Sequence, residues 1–305
     1  PAAGSILSIA EALTNIVWAP LSEGLDSVSL SANWMWPCKN EGEDARLYRA
    51  VEACSDFACS LGINIPTGKD SLSMTQKYGK DKVYSPGTVI ISAGAEVSDI
   101  RKVVSPVLRT GIDSTVYYID FSFDKLKLGG SAFAQSLDKI GKEVPTVQDS
   151  EYFANAFNAV QELINKELIL AGHDISAGGM ITTMLEMNFA NTEGGLEVSL
   201  DEIPKKDLVK ILFSENPGIL IQVEKTDEVE KILKKAGVAF IRLARPCDER
   251  HLLIHKDGAD YQFFIDHLRD VWFESSYLLD CKQSGEKAAK DRFLNYKEQP
   301  LQFHF

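Results

Sequence analysis

The chain has 305 residues, 45% of them hydrophobic and 25% charged, with a formal net charge of −12. That length predicts about two domains with room for a sizeable core. The acidic balance and the lack of any basic block speak against nucleic acid and anionic membrane as partners. No apolar run approaches the ~20 residues needed to span a bilayer. A phosphate ligand would therefore need local help from a lysine, a helix terminus or Mg2+. Five cysteines (Cys38, Cys54, Cys59, Cys247, Cys281) are scattered without disulfide or metal-ligand spacing, which predicts reduced cytosolic thiols and a cytoplasmic protein. Pro1-Ala2-Ala3-Gly4 enters a helix at once and carries neither an initiator Met nor a signal peptide, as expected of a piece of a longer polypeptide; a processed start is the alternative.

Residues 5–18 carry Ile6, Ile9, Leu13, Ile16 and Val17 at helical spacing, with Ser5 as the expected N-cap and Pro20 as the stop. Glu11 and Asn15 are four apart and share a face. Both offer oxygen, the donor that Mg2+ or Ca2+ requires; a solvated helix pair is the alternative. Residues 28–36 read as a strand and an aromatic-rich loop in which Trp34 and Trp36 pack. A helix over 43–61 places Leu47, Val51, Cys54 and Ala58 on one side and closes at Gly62. After a short strand at Ile63–Ile65, residues 67–71 form a compact polar turn. There Gly68 and Lys69 suit a phosphate, although the spacing is not that of a Walker A loop, and a plain turn is the other reading. Residues 77–83 are a charged hairpin tip, 88–97 a strong strand, and a domain boundary is expected near Gly111.

The second domain opens with a buried strand at 115–121. Gly129-Gly130-Ser131 starts a helix through Ile140, and another runs over 150–166. The stretch 169–188 organises the rest. Ile169 to Ala171 reads as a buried strand ending at Gly172, with His173 and Asp174 at its carboxyl end. Ser176, Gly178 and Gly179 then open a helix carrying Met180, Met184 and Met187. Free N–H groups at such a helix start suit phosphate, and Asp174 is placed to hold a hard cation. The alternative is a plain N-cap at Ser176 with glycines for a tight turn. Strands follow at 196–200, 218–223, 239–243 and 252–254, with a charged helix at 227–236 between them. A long helix is expected from about Tyr261, and residues 281–305 read as a polar tail or linker.

Four segments in this order form a recognisable set: Glu11-Ala12-Leu13-Thr14-Asn15, Leu30-Ser31-Ala32-Asn33-Trp34-Met35, Ile65 through Met74, and His173-Asp174-Ile175-Ser176-Ala177-Gly178-Gly179. Together they resemble the large, single-chain phosphoribosylformylglycinamidine synthase family. That resemblance covers nearly the whole chain. It implies the second half of the synthase core. The fold class is then α+β / α/β: a two-domain, aminoimidazole ribonucleotide synthetase-like half. Its expected parts are an N-terminal sheet-and-helix domain over 1–111, a C-terminal mixed α/β domain over 112–280, and a tail over 281–305 toward a glutaminase domain.

The resemblance also implies an auxiliary nucleotide site for ATP or ADP with Mg2+. Glu11, Asn15 and Asp174 would be metal ligands, and Ser176 would contact the nucleotide. Gly68 and Lys69 are phosphate candidates by chemistry rather than by match. His173 is expected to orient its neighbour, and no catalytic residue is assigned. The family is an ATP-dependent C–N ligase that uses glutamine-derived ammonia in purine biosynthesis. The first half of the core and the glutaminase domain are its missing partners, so this half is expected to be silent alone. It is further expected to expose an apolar sheet face and to pair as a homodimer through the strand at 89–95. Two other readings are a non-catalytic nucleotide-binding scaffold and a free-standing kinase or synthetase of the same superfamily.

Overall fold

The computed structural model describes residues 1–204 and 206–295. Helix α1 (Ala2–Ile16) begins three residues before the expected cap. Ser5 is buried inside it, and its Oγ donates back to the carbonyl of Pro1 at 3.2 Å. Strand β1 (Ser29–Met35), helix α2 (Glu43–Ser60) and strand β2 (Asn64–Ser71) follow. A hairpin of β3 (Thr75–Tyr78) and β4 (Asp81–Tyr84) then leads to β5 (Thr88–Gly94). The order β2-β1-β5 makes a three-stranded sheet, with β1 parallel to β2 and antiparallel to β5. Alternation sends Leu30 and Ala32 into the core under the helices. Ser31, Asn33 and Met35 share the outward face with Thr67, Lys69, Ser92 and Ile90. The outward face is thus largely polar, not the apolar face expected. The buried side of α2 runs through Ala50, Cys54, Phe57 and Ala58, and Val51 is turned out to solvent.

Residues 67–71 are strand, not turn. Pairing with β1 decides this. At Gly68 a Cβ would stand 2.1 Å from the carbonyl oxygen of Ala32, so the glycine serves close strand approach.

The rest of the chain builds a seven-stranded mixed sheet. Its elements begin with β6 (Thr115–Asp120), α3 (Ala132–Ser136), α4 (Ser150–Asn165), β7 (Ala171–Asp174) and α5 (Gly179–Phe189). They continue through β8 (Gly195–Ser199), α6 (Leu208–Phe213), β9 (Gly218–Val223), α7 (Thr226–Lys235) and β10 (Phe240–Cys247). β11 (His251–Lys256), β12 (Ala259–Phe264), α8 (Ile265–Ser284) and α9 (Glu286–Asn295) complete the described fold. The strand order is β12-β11-β8-β10-β6-β9-β7. β9 is buried at every position, as its unbroken apolar run requires.

Several boundaries differ from the sequence reading. α3 stops at Ser136, and Asp138 just beyond it is left-handed. β7 contains His173 and Asp174 instead of ending before them. Residues 261–264 are strand: Asp257 and Gly258, both with positive φ, form the two-residue turn that folds β12 onto β11. Part of the expected tail is helix α9, tied to α8 by Arg292 donating twice to Asp280, at 2.8 and 2.7 Å. Residues 296–305 of that tail lie outside the described residues.

Two apolar clusters flank the large sheet. One joins α1, α2 and β1 to α4, α7, β6 and β9, so both sheets share a core. The other packs α5, α6 and the start of α8 on the opposite face. Two contacts fix α1 against the large sheet. Gln161 of α4 donates to the carbonyls of Val17 and Ala19 at 2.6 and 3.1 Å and accepts from the Leu21 N–H at 2.8 Å. The Trp18 ring rests on Gly172, where a Cβ would fall 2.1 Å from Cζ3. Among the described residues no helix is long and apolar enough to cross a membrane.

Candidate functional site

Anchoring Trp18 on Gly172 sets the last turn of α1 beside the end of β7. The Asn15 amide donates to Asp174 Oδ2 at 3.2 Å, across 159 residues of chain. One turn earlier, Glu11 Oε1 accepts from Ser176 Oγ at 2.8 Å. Glu11, Asn15, Asp174 and Ser176 thus come together. Ser176 does not cap α5: that position belongs to Gly178, in the left-handed region, with no side-chain cap.

Asp174 is 7% exposed, and its own carbonyl accepts from Thr183 Oγ1 at 3.0 Å. His173 stands beside it. Its Nδ1 lies 2.9 Å from the Asp174 carbonyl and 3.4 Å from Oδ1, and its Nε2 lies 3.1 Å from Glu186 Oε2. Both ring nitrogens face acceptors, which suits the doubly protonated imidazolium. Burial works against that charge, but hydrogen bonds to Asp174 and Glu186 outweigh it and hold the ring's pKa up to about 9. His173 thus bridges Asp174 and Glu186 through its two ring nitrogens.

Glu11 and Ser176 line a cleft of about 480 Å³ between α1 and the large sheet, and Asn15 and Asp174 lie just behind them. Trp36, Gly87 and Val89 line it from one side, and Gly129, Gly130 and Pro145 from the other. Arg46 is the one basic side chain among its lining residues. It donates to Glu43 at 3.0 Å, and Glu43 also accepts from the Trp36 indole at 2.9 Å. Glu215 lines the cleft as well. One of its oxygens, Oε1, accepts from the Gly178 N–H and the Ala132 N–H, both at 2.8 Å. The N–H at the start of α5, expected to be free for phosphate, is therefore already satisfied by a carboxylate.

The donor set suits a hard cation: two carboxylates and an amide, all oxygen, from two segments. Asn15 presents its nitrogen to Asp174; turning the amide about χ2 would present Oδ1 instead. No group of three or more His, Cys, Asp or Glu side chains with metal-holding geometry occurs among the described residues. Any cation here would therefore draw on the Asn15 amide and on ligand oxygens.

Gly68 and Lys69 are not part of this arrangement. They line a separate, open cavity along β2. Lys69 is paired with Asn33 on the outward face, while Ala32 faces the core under α1. The sheet stands between the lysine and Glu11. The sequence reading missed Arg46 and Glu215. Arg46 carries no motif, and Glu215 sits in a short polar link between α6 and β9.

Fold and cleft define a two-domain synthetase unit of the aminoimidazole ribonucleotide synthase kind. Residues 1–96 match the FGAR-AT PurM_N-like domain, and residues 115–252 match the AIR synthase related protein, C-terminal domain. The chain belongs to the phosphoribosylformylglycinamidine synthase family, matching one segment of its members. It is 38% identical to the probable chloroplastic/mitochondrial phosphoribosylformylglycinamidine synthase of Arabidopsis thaliana over 288 residues, covering 93% of this chain and 20% of that protein. It is 33% identical to the human phosphoribosylformylglycinamidine synthase over 305 residues, covering 98% of this chain and 23% of that protein. It therefore spans about a fifth of the length of these relatives. Among solved structures, Thermotoga maritima PurL complexed with ATP superposes with a TM-score of 0.65 at 13% identity, covering 88% of this chain and 41% of that one. The hydrogenase maturation protein HypE in complex with ATP gives 0.59 at 13% identity, covering 85% and 78%. At these identities the superpositions speak for the fold alone.

Proposed function

We propose that this chain is the second synthetase half of a phosphoribosylformylglycinamidine synthase, an ATP- and glutamine-dependent C–N ligase of purine biosynthesis in the cytoplasm. Its cleft holds a magnesium–nucleotide pair, ATP or ADP. Glu11, Asn15 and Asp174 are the cation's protein ligands, and Ser176 contacts the nucleotide. The cation would neutralise phosphate charge in a cleft walled by acids. The division near Gly111 separates the two domains of this half. The first half of the core and the glutaminase domain are its partners in the whole protein, and this half alone is silent.

One observation carries the reading. Four polar residues from segments some 160 positions apart come together through Asn15–Asp174 and Glu11–Ser176, and Glu11 and Ser176 line the cleft. The ATP- and ADP-complexed PurL structures share its fold and support a nucleotide. A thermal-shift series tests it. Mg2+ with ADP should raise the melting temperature, and Asp174→Asn should abolish the rise. A rise undiminished in the variant would contradict the assignment.

Pairing of two copies along β5 belongs to the same proposal. That strand is an edge of its sheet, with Ile90 half exposed. Light scattering should return a dimer mass; a monomer at high concentration counts against it. The competing reading, a free-standing ATP-using enzyme, draws on the 78% coverage of HypE. ATP turnover by this chain without any partner would favour it.

A further inference from the structure

We propose that Glu215 is a specificity-determining residue of the cleft, one that makes anion binding there depend on a divalent cation. This builds on the nucleotide reading but is tested apart from it.

The Glu215 side chain is held from both sides in sequence. Gly179 has φ +74, and a Cβ there would stand 2.7 Å from the Leu212 carbonyl oxygen. The missing side chain lets the end of α6 press against the start of α5. Three residues beyond the end of α6, Asn216 is 2% exposed. Its amide donates to Ser122 Oγ and the Lys125 carbonyl at 3.3 and 3.2 Å, and its Oδ1 accepts from the Lys127 N–H at 3.3 Å. Glu215 lies between these two fixed points. Its backbone has little freedom, and its carboxylate bridges Gly178 on one cleft wall to Ala132 on the other.

The consequence is electrostatic. A helix start with free N–H groups attracts anions. Here the Gly178 N–H that opens α5 and the Ala132 N–H that opens α3 already serve one negative charge, so a phosphate at that point meets a carboxylate first. Glu11 adds a second carboxylate to the lining, with Asp174 bonded beside it through Asn15. The basic lining residue, Arg46, is shared with Glu43. Among the lining side chains a bare polyphosphate meets two carboxylates, Glu11 and Glu215, against one guanidinium already shared. With a divalent cation held by the acids, the sign at the cleft mouth reverses. Glu215 thus rejects metal-free anions and leaves room for metal-bound ones.

The test titrates inorganic pyrophosphate in EDTA into the full chain and into Glu215→Gln and Glu215→Ala, read by calorimetry. The glutamine is isosteric, keeps an acceptor for both N–H groups and removes only the charge, so it decides the matter. Its dissociation constant should fall at least tenfold below that of the unchanged chain. A measurable constant where the unchanged chain gives none counts as that gain. The alanine should gain at least as much if it folds. An equal or weaker constant in the glutamine variant, or no binding by either chain, overturns the inference. Gain in Glu215→Gln alongside Mg–ADP binding unaltered by Asp174→Asn would sink the nucleotide assignment and leave the role of Glu215 standing.

Discussion

The indole of Trp18 occupies the space that a side chain at Gly172 would need. A Cβ there would lie 2.1 Å from Cζ3 and 2.6 Å from Cη2 of the ring. Both residues flank the site: Trp18 follows Asn15 by three positions, and Gly172 precedes Asp174 by two. Gly172→Ala should therefore act twice. Overpacking of this kind destabilises by ~1–3 kcal/mol, measurable by denaturant unfolding. Displacing Trp18 should also move Asn15 from Asp174 and weaken Mg-dependent nucleotide binding by more than the stability loss alone explains. A variant as stable as the unchanged chain would mean the ring has another place to go.

Gln161 offers a second test of how the two sheets are joined. It satisfies two carbonyls and one N–H of the segment after α1, and it is 6% exposed. Gln161→Leu keeps most of the volume and leaves those groups unpaired. Buried unsatisfied groups destabilise by roughly 1–3 kcal/mol each, so a loss of several kcal/mol is expected in urea unfolding. A loss under about 1 kcal/mol would show that water replaces the amide.

The pH dependence of stability should have an acid component from Glu230. Hydrogen bonds from Lys234 at 2.7 Å, from Arg242 at 2.7 Å and from Tyr117 at 3.0 Å hold its carboxyl down to about 2, below the ordinary 4.5. The folded pKa is the lower one. Its stabilisation is therefore complete above about 4.5 and disappears as pH falls toward 2. Glu230→Gln should be less stable than the unchanged chain at neutral pH. It should also lose stability less steeply over that acid window. Parallel curves for the two proteins would remove Glu230 from the account.

The sequence carries much of this arrangement in its periodicities. The helical spacing of Ile9 and Leu13 shows which side of α1 is buried, and hence that Glu11 and Asn15 share the other. The unbroken apolar run of β9 marks a strand covered on both faces. What fails does so for identifiable reasons. Gly68 reads as turn because glycine favours turns, yet here it permits close strand approach, which only the partner Ala32 reveals. The Asp257-Gly258 turn was available as a hairpin signal, but the apolar residues beyond it, spaced for a helix, hide the short strand β12. Glu215 is legible from no local pattern, because its two donors come from segments 37 and 83 residues away.

The central claim is that Glu11, Asn15 and Asp174 hold a cation for a nucleotide. It is tested most directly by calorimetric titration of ADP, with Mg2+ and with EDTA, into this chain and Asp174→Asn. The account predicts saturable binding with Mg2+, at least tenfold weaker binding in EDTA, and loss of the Mg2+ effect in the variant. Equal ADP affinity in both buffers, or a Mg2+ effect that survives Asp174→Asn, would contradict it.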